Sequence, residues 1–313
     1  MKKIFFVLCT ILGFAAHTFA QGKSYKVDEK SVSATLQFLT SDGLKGREPG
    51  TPEMDLAAAH LEDILKKNGV KPYFATYRDT LSNYPKPAYN IVGVLEGTDP
   101  KLKNEFVVIG AHYDHIGMAK TAVDGDNIYN GADDNATGTT TVAELVNYYG
   151  KNKTNKRSIL FCFFSAEEAG LLGSYHLSKK LHDQGLDIYT MLNFEMTGVP
   201  LGGENLAFIT GYGRSNMAEK FNEYAGKKII GSNEFEMQYQ LFKFSDNYPF
   251  FLEFNVPSHT VSTTEMSTFP FYHKLGDEFE AMDTKHMTSF IQQMIPVVEK
   301  MVNAKSKEII LKK

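Results

Sequence analysis

The sequence predicts an α/β fold of three layers, with a mostly parallel mixed central sheet sandwiched between helices. Apolar runs at 105–111, 157–164 and 188–194 have the length of strands covered on both faces. Stretches with helical spacing of apolar residues alternate with them, the order that builds a parallel sheet. With 313 residues and 42% hydrophobic content, the chain is long enough to bury a full core.

Lys2 and Lys3 precede an apolar run over 4–16, and small and polar residues follow up to Ala20-Gln21. This is the pattern of a signal peptide cleaved after Ala20, which leaves 21–313 as a single domain in the periplasm or outside the cell. The run is shorter than the ~20 residues that span a bilayer, so no stable membrane anchor is expected. Cys9 lies in the removed segment without the small residues of a lipoprotein box before it. Cys162 lies in an apolar run, so the mature chain has no disulfide partner for it. A net charge of -4 and a pI near 6.2 supply no basic field for a polyanion and exclude nucleic acid as a natural partner.

In order, Val32, Leu36 and Leu39 mark a helix over 28–39, and Gly46, Arg47, Pro49 and Gly50 a loop over 43–51. A second helix, 52–68, opens on Pro52 and stops at Gly69. Strands are predicted at 73–81 and 89–95. The run 105–111 ends in His112-Tyr113-Asp114-His115, and a polar loop leads to Gly131-Ala132-Asp133-Asp134-Asn135-Ala136-Thr137-Gly138 and a helix over 136–149. Strand 157–164 ends in Ser165-Ala166-Glu167-Glu168, with a helix after Gly170, and strand 188–194 ends in Glu195. Beyond Gly198 come a strand at 206–210, a helix at 216–225, an aromatic-rich stretch at 242–254 and a strand at 258–262. Asp283 caps a last helix that runs to Val302, with Pro296 as a point of kinking. The aromatics over 242–271 read mainly as core, with a substrate pocket as the other reading.

Open parallel sheets hold ligands beyond the carboxyl ends of their strands. His112, Glu167, Glu168 and Glu195 all fall there. Adjacent Asp133 and Asp134 repel one another unless a cation neutralises them, although a solvated turn with Asp as helix cap also accounts for them. Each motif taken alone fits a structural role; their recurrence at strand ends points to metal. Histidines with several carboxylates suit zinc or a similar divalent ion, and a carboxylate can bridge two. Two such cations balance Asp133, Glu168, Glu195 and a bridging hydroxide, which leaves Glu167 to accept a proton.

The motifs Gly110-Ala111-His112-Tyr113-Asp114, Gly131-Ala132-Asp133-Asp134-Asn135, Ser165-Ala166-Glu167-Glu168, Asn193-Phe194-Glu195-Met196 and Tyr272-His273 with Asp277 resemble those of the co-catalytic zinc exopeptidases. That family includes bacterial leucine aminopeptidases and, as a larger relative, glutamate carboxypeptidase II. Gly46-Arg47, Gly50-Thr51 and Ser245-Asp246 match as well, so the likeness runs from about Leu36 to Asp283. It implies two zinc ions, one on His112, Asp133 and Glu195, the other on Asp133, Glu168 and His273. It further implies Glu167 as general base, Asp114 orienting His112, a cis bond between Asp133 and Asp134, and Tyr272 steadying the oxyanion, for which core packing is the alternative. Many relatives have Asp in place of Glu195 and His in place of Asn247. His115 and His259 are not needed as ligands.

The function implied is an exported di-zinc aminopeptidase of the same fold, cutting the N-terminal bond of peptides by a metal-bridging hydroxide, with Glu167 and Glu195 attracting the substrate ammonium. A carboxypeptidase or dipeptidase is the alternative, with Arg47 or Arg214 to hold a substrate carboxylate. A glutaminyl cyclase fits less well, because the chain keeps Asp133-Asp134 and contains no Trp. A binding protein without catalysis is disfavoured by the intact set of ligands and base. Side-chain preference and oligomeric state are left open.

Overall fold

A computed structural model describes residues 25–312, so the expected leader and its cleavage site lie outside the described residues. The N-terminal helices follow their local signals. Helix α1 (Glu29–Leu39) is capped by the Asp28 side chain, which accepts from the Lys30 amide, and α2 (Pro52–Lys67) by Thr51, which accepts from Met54. The strands β1 (Lys71–Pro72), β2 (Arg78–Thr80) and β3 (Tyr89–Leu95) come next. The expected strand 73–81 is therefore interrupted. Lys71 and Pro72 pair with Val94 and Gly93, and Arg78 pairs with Ile91, so residues 73–77 bulge outward opposite Val92 alone.

The remaining strands are β4 (Phe106–His112), an exposed hairpin β5 (Met118–Val123) and β6 (Asp126–Ile128) where a polar loop is predicted, β7 (Ser158–Phe164), β8 (Ile188–Phe194), β9 (Ala207–Ile209), β10 (Ile230–Gly231) and β11 (Ser258–Ser262). Between them lie α3 (Gly138–Asn152), α4 (Leu172–Asp183), α5 (Met217–Ala225), α6 (Glu234–Tyr239) and α7 (Asn247–Phe254), and α8 (Thr284–Asn303) follows. The main sheet has the order β1-β3-β7-β4-β8-β11-β9-β10, with β2 also on β3. Its centre, β7-β4-β8-β11, is parallel, and β3 and β9 join it antiparallel. The sheet is mixed, as expected.

Successive side chains of the central strands enter opposite layers. Val107, Ile109 and Ala111 of β4 and Ile159, Phe161 and Phe163 of β7 pack with α1, α2, α3, α5 and α8. Val108 and Leu160, Cys162 and Phe164 pack with α4 and α7. Both faces are covered, which is why these strands read as unbroken apolar runs. Helix α8 continues through Pro296, held by the buried Met294, Val297 and Val298 on either side. No helix among the described residues is long and apolar enough to cross a membrane.

Arg47 ties the loops above the sheet together. It is fully buried, and its guanidinium donates to the carbonyls of Leu39, Tyr113, Asn130 and Gly131 at 2.5–2.9 Å. These carbonyls belong to the end of α1, the exit of β4 and the loop before α3. Burial draws its pKa down to about 10, against the pull of Asp114, Asp277, Asp134 and Glu168, so it remains charged at neutral pH. Arg47→Met leaves the buried carbonyls of Leu39, Tyr113 and Asn130 without a donor, while that of Gly131 keeps the Ala136 amide, and this should cost about 3 kcal/mol or more in urea unfolding. A loss below about 1 kcal/mol would show that the loops hold without it.

Candidate metal centre

Three of the parallel strands, β4, β7 and β8, end together, and buried carboxylates fix two of the loops above them. His112 is the last residue of β4. Two residues on, buried Asp114 accepts the amides of Glu167 and Glu168 at 3.2 and 3.3 Å, which sets the turn after β7. Its Oδ1 also lies 3.7 Å from His112 Nδ1, and its carbonyl 3.3 Å from the same nitrogen. Asp277 does the same for the loop before α3, accepting the amides of Asp133 and Asp134 at 2.8 and 3.0 Å. Since His273 precedes Asp277 by one turn of loop, this clamp also brings His273 over the loop.

Of the two adjacent acids, Asp134 faces the histidines. Its Oδ1 lies 3.3 Å from His112 Nε2 and its Oδ2 3.1 Å from His273 Nε2. Asp133, expected as the bridging ligand, turns the other way, where its Oδ1 accepts from the Gly198 amide at 2.8 Å and Thr137 Oγ1 at 3.1 Å. Asp277 holds both amides, and from this fixed loop the two side chains leave in different directions. The cis bond shows the same one-residue correction, lying between Asp134 and Asn135 rather than between Asp133 and Asp134. Asn135 then ties the loop to β8, donating to the Phe194 carbonyl and accepting from the amides of Gly138 and Met196.

Around Asp134 the donors fall into two groups. His112, Asp134 and Glu195 offer atoms within 4.8 Å of one another, and so do His115, Asp134 and Glu168. His273 Nε2 joins the second group, 3.0 Å from Glu168 Oε2. His115, set aside as a ligand on sequence grounds, is therefore brought into the centre; His259 is not, being held by Ser215 Oγ at 2.7 Å and the Thr210 carbonyl at 2.8 Å. His112 Nε2, Glu168 Oε1, His273 Nε2 and both nitrogens of His115 are buried without a hydrogen-bond partner. Orphaned nitrogens and carboxylate oxygens converging at such distances fit a divalent cation of the zinc type.

The electrostatics agree. Burial raises the pKa of Glu195 to about 8, with Asp134 and Asp246 adding to it and His112 opposing. Burial likewise pushes Glu167 well above the carboxylate range, with Glu195, Asp246 and Glu168 adding and His112 opposing. Against its own burial, His273 is raised to about 10 by Asp134 and Glu168, and His112 is raised by Glu167, Asp114 and Asp134. Asp134, despite burial, is held well below its usual range by His112 and His273. Without metal, protonated histidines offset the negative charge that a cation would offset in their place.

Beside Glu195 opens an apolar pocket of Phe208, Leu241, Phe244 and Met266, with Tyr272 at its edge. Tyr272 is 39% exposed and its ring stacks on His273 at 4.0 Å. No lysine or arginine among the described residues lines this pocket. Arg47 is committed to carbonyls, and Arg214 lies over the rings of Phe242 and Phe251. Asn247 is spent within the fold, donating to the Phe242 and Ser258 carbonyls and accepting from Thr260. Sequence reasoning gave Ser245 no role, yet its hydroxyl donates to Glu195 Oε2. The different directions of the two aspartates can be checked directly. Asp134→Asn should weaken zinc retention on dialysis against chelator by about 100-fold or more, whereas Asp133→Asn should change it by less than about tenfold. The reverse order would contradict the geometry.

Leucine aminopeptidase 1 of Paracoccidioides brasiliensis (strain Pb03) is 36% identical over 133 residues, which cover 38% of this chain and 33% of that protein, so the chain matches only a third of this relative's length. Among solved structures, BSAP, a zinc aminopeptidase from Bacillus subtilis, has a similar fold, with a TM-score of 0.70 at 15% identity over 92% of this chain and 98% of that one. So does a Bacteroides thetaiotaomicron glutaminyl cyclase, with a TM-score of 0.67 at 19% identity over 88% and 98% of the two chains. Residues 90–298, most of the chain, match Peptidase family M28, and the chain belongs to that family.

Proposed function

We propose that this chain is a two-cation zinc aminopeptidase that removes the N-terminal residue of peptides, and that it acts after export directed by the pattern at its N-terminus. The observation that carries the reading is Asp134, whose two oxygens face separate sets of donors, His112 with Glu195 on one side and Glu168 with His273 on the other. One carboxylate shared in this way suits a pair of divalent ions. Bound there, zinc would supply Lewis-acid polarisation of the scissile carbonyl and would lower the pKa of the attacking water.

The chain's own residues do the rest. Glu167, beside the donor set but not in it, takes the proton of the attacking water on its carboxylate and returns it to the leaving amine. Asp114 orients His112 and holds the Glu167 amide, so ligand and base are set by one side chain. The substrate ammonium is drawn by Glu195 and Glu167. Its side chain enters the apolar pocket of Phe208, Leu241, Phe244 and Met266, which favours leucine or phenylalanine over charged residues and accords with the leucine aminopeptidase name of the fungal relative. Tyr272 lines this pocket, and its hydroxyl would steady the oxyanion at the scissile carbonyl.

That no lysine or arginine among the described residues lines the pocket favours an aminopeptidase over a carboxypeptidase, which needs a cation for the substrate carboxylate. Zinc-loaded protein should hydrolyse leucyl and phenylalanyl peptides with a free amine and leave their N-acetylated forms intact. Glu167→Gln should lower kcat by about 10²–10⁴-fold at unchanged zinc content. Equal cleavage of acetylated peptides, or conversion of N-terminal glutamine to pyroglutamate without hydrolysis, would overturn the reading.

A further inference from the structure

His115 stands three residues beyond the end of β4 and is fully buried. Its Nδ1 lies 2.8 Å from Glu168 Oε1 and 3.9 Å from Asp134 Oδ2, and its ring centre is 5.7 Å from that of His273. At 2.8 Å a nitrogen and a carboxylate oxygen normally share a hydrogen bond. Here neither atom has a hydrogen-bond partner, and His115 Nε2 has none either. Close approach without alignment is what lone pairs aimed at a common third atom produce.

The backbone is cut away to admit this ring. Gly131 has φ of 57°, and a Cβ there would stand 2.4 Å from His115 Cγ. From behind, the His115 amide donates to the Arg47 carbonyl at 3.3 Å, which fixes where the residue leaves the loop. The contacts among His115 Nδ1, Asp134 Oδ2, the Glu168 carboxylate and His273 Nε2 range from 2.8 to 3.9 Å. A tetrahedron of donors about 2.0–2.1 Å from zinc has edges of roughly 3.3 Å, within that range.

We propose that His115 is a fourth protein donor to the cation held by Asp134, Glu168 and His273. The proposal rests on the two-cation reading above and divides its two sites by kind. The site with His115 is closed by four protein ligands, in the manner of a structural zinc site. The site of His112, Asp134 and Glu195 has three and keeps a position open. Glu195 also lines the apolar pocket, so the open position faces the side from which a substrate enters. The two cations are therefore bound with unequal strength, the tighter one at His115.

The test uses the full chain, labelled with ¹⁵N-histidine and loaded with ¹¹³Cd, and counts the imidazoles whose nitrogen couples to cadmium. Three coupled imidazoles with two bound ions is the expected result. Two bound ions with only two coupled imidazoles overturns the role of His115 and leaves the two-cation reading standing; fewer than two bound ions overturns both. In parallel, zinc titration against a competing chelator should show His115→Ala weakening one site by about 100-fold, with the other changed by less than about threefold. Equal affinities of a folded His115→Ala and the parent chain at both sites would overturn the proposal. Should that variant fail to fold, the cadmium count on the unaltered chain decides.

Discussion

Negative charge held out of water is the constraint on which this structure depends. Asp134, Glu167, Glu168 and Glu195 converge at the carboxyl ends of β4, β7 and β8, with Asp114, Asp246 and Asp277 buried around them. Carboxylates so close and so dry cannot all ionise unless positive charge lies among them. Part comes from His112 and His273, and part from Arg47 behind the loops, yet His112 Nε2, His273 Nε2, Glu168 Oε1 and both nitrogens of His115 are left without a partner. The shortfall is local, at the face of Asp134, and a divalent cation is the group that meets it with the fewest atoms.

The scaffold around the site follows from the same need. Loops carrying like charges would spread apart, so each is fixed from behind through its backbone. Asp114 grips the amides of Glu167 and Glu168, Asp277 grips those of Asp133 and Asp134, and Arg47 grips the carbonyls of Tyr113, Asn130 and Gly131. Main-chain amides take up the supporting carboxylates, and the donor carboxylates are left free to point inward. The parallel sheet beneath is rigid because both its faces are covered, which lets these short loops hold their geometry.

Much of this was legible in the sequence because it rests on local patterns. The runs 105–111, 157–164 and 188–194 became the buried centre of the sheet, and Thr51-Pro52 opened α2 where their chemistry favours a helix start. What was not legible depends on contacts distant in sequence. Nothing local separates Asp133 from Asp134; the Asp133 carboxylate is held by the Gly198 amide, 65 residues beyond it, in a loop that Asp277 fixes from 144 residues away. His115 was set aside because a ligand set without it looked complete, and its nearness to Glu168 arises only when β4 and β7 lie side by side. The outward bulge at 73–77 likewise depends on how an edge segment meets Val92, not on its own β propensity.

The central claim is that Asp134 holds two cations between two donor sets. Anomalous diffraction at the zinc edge from crystals of the zinc-loaded chain tests it most directly. The account expects two peaks about 3.5–4 Å apart flanking the Asp134 carboxylate, one beside His112 and Glu195, the other beside Glu168 and His273. A single peak, or peaks centred on the Asp133 carboxylate, would contradict it.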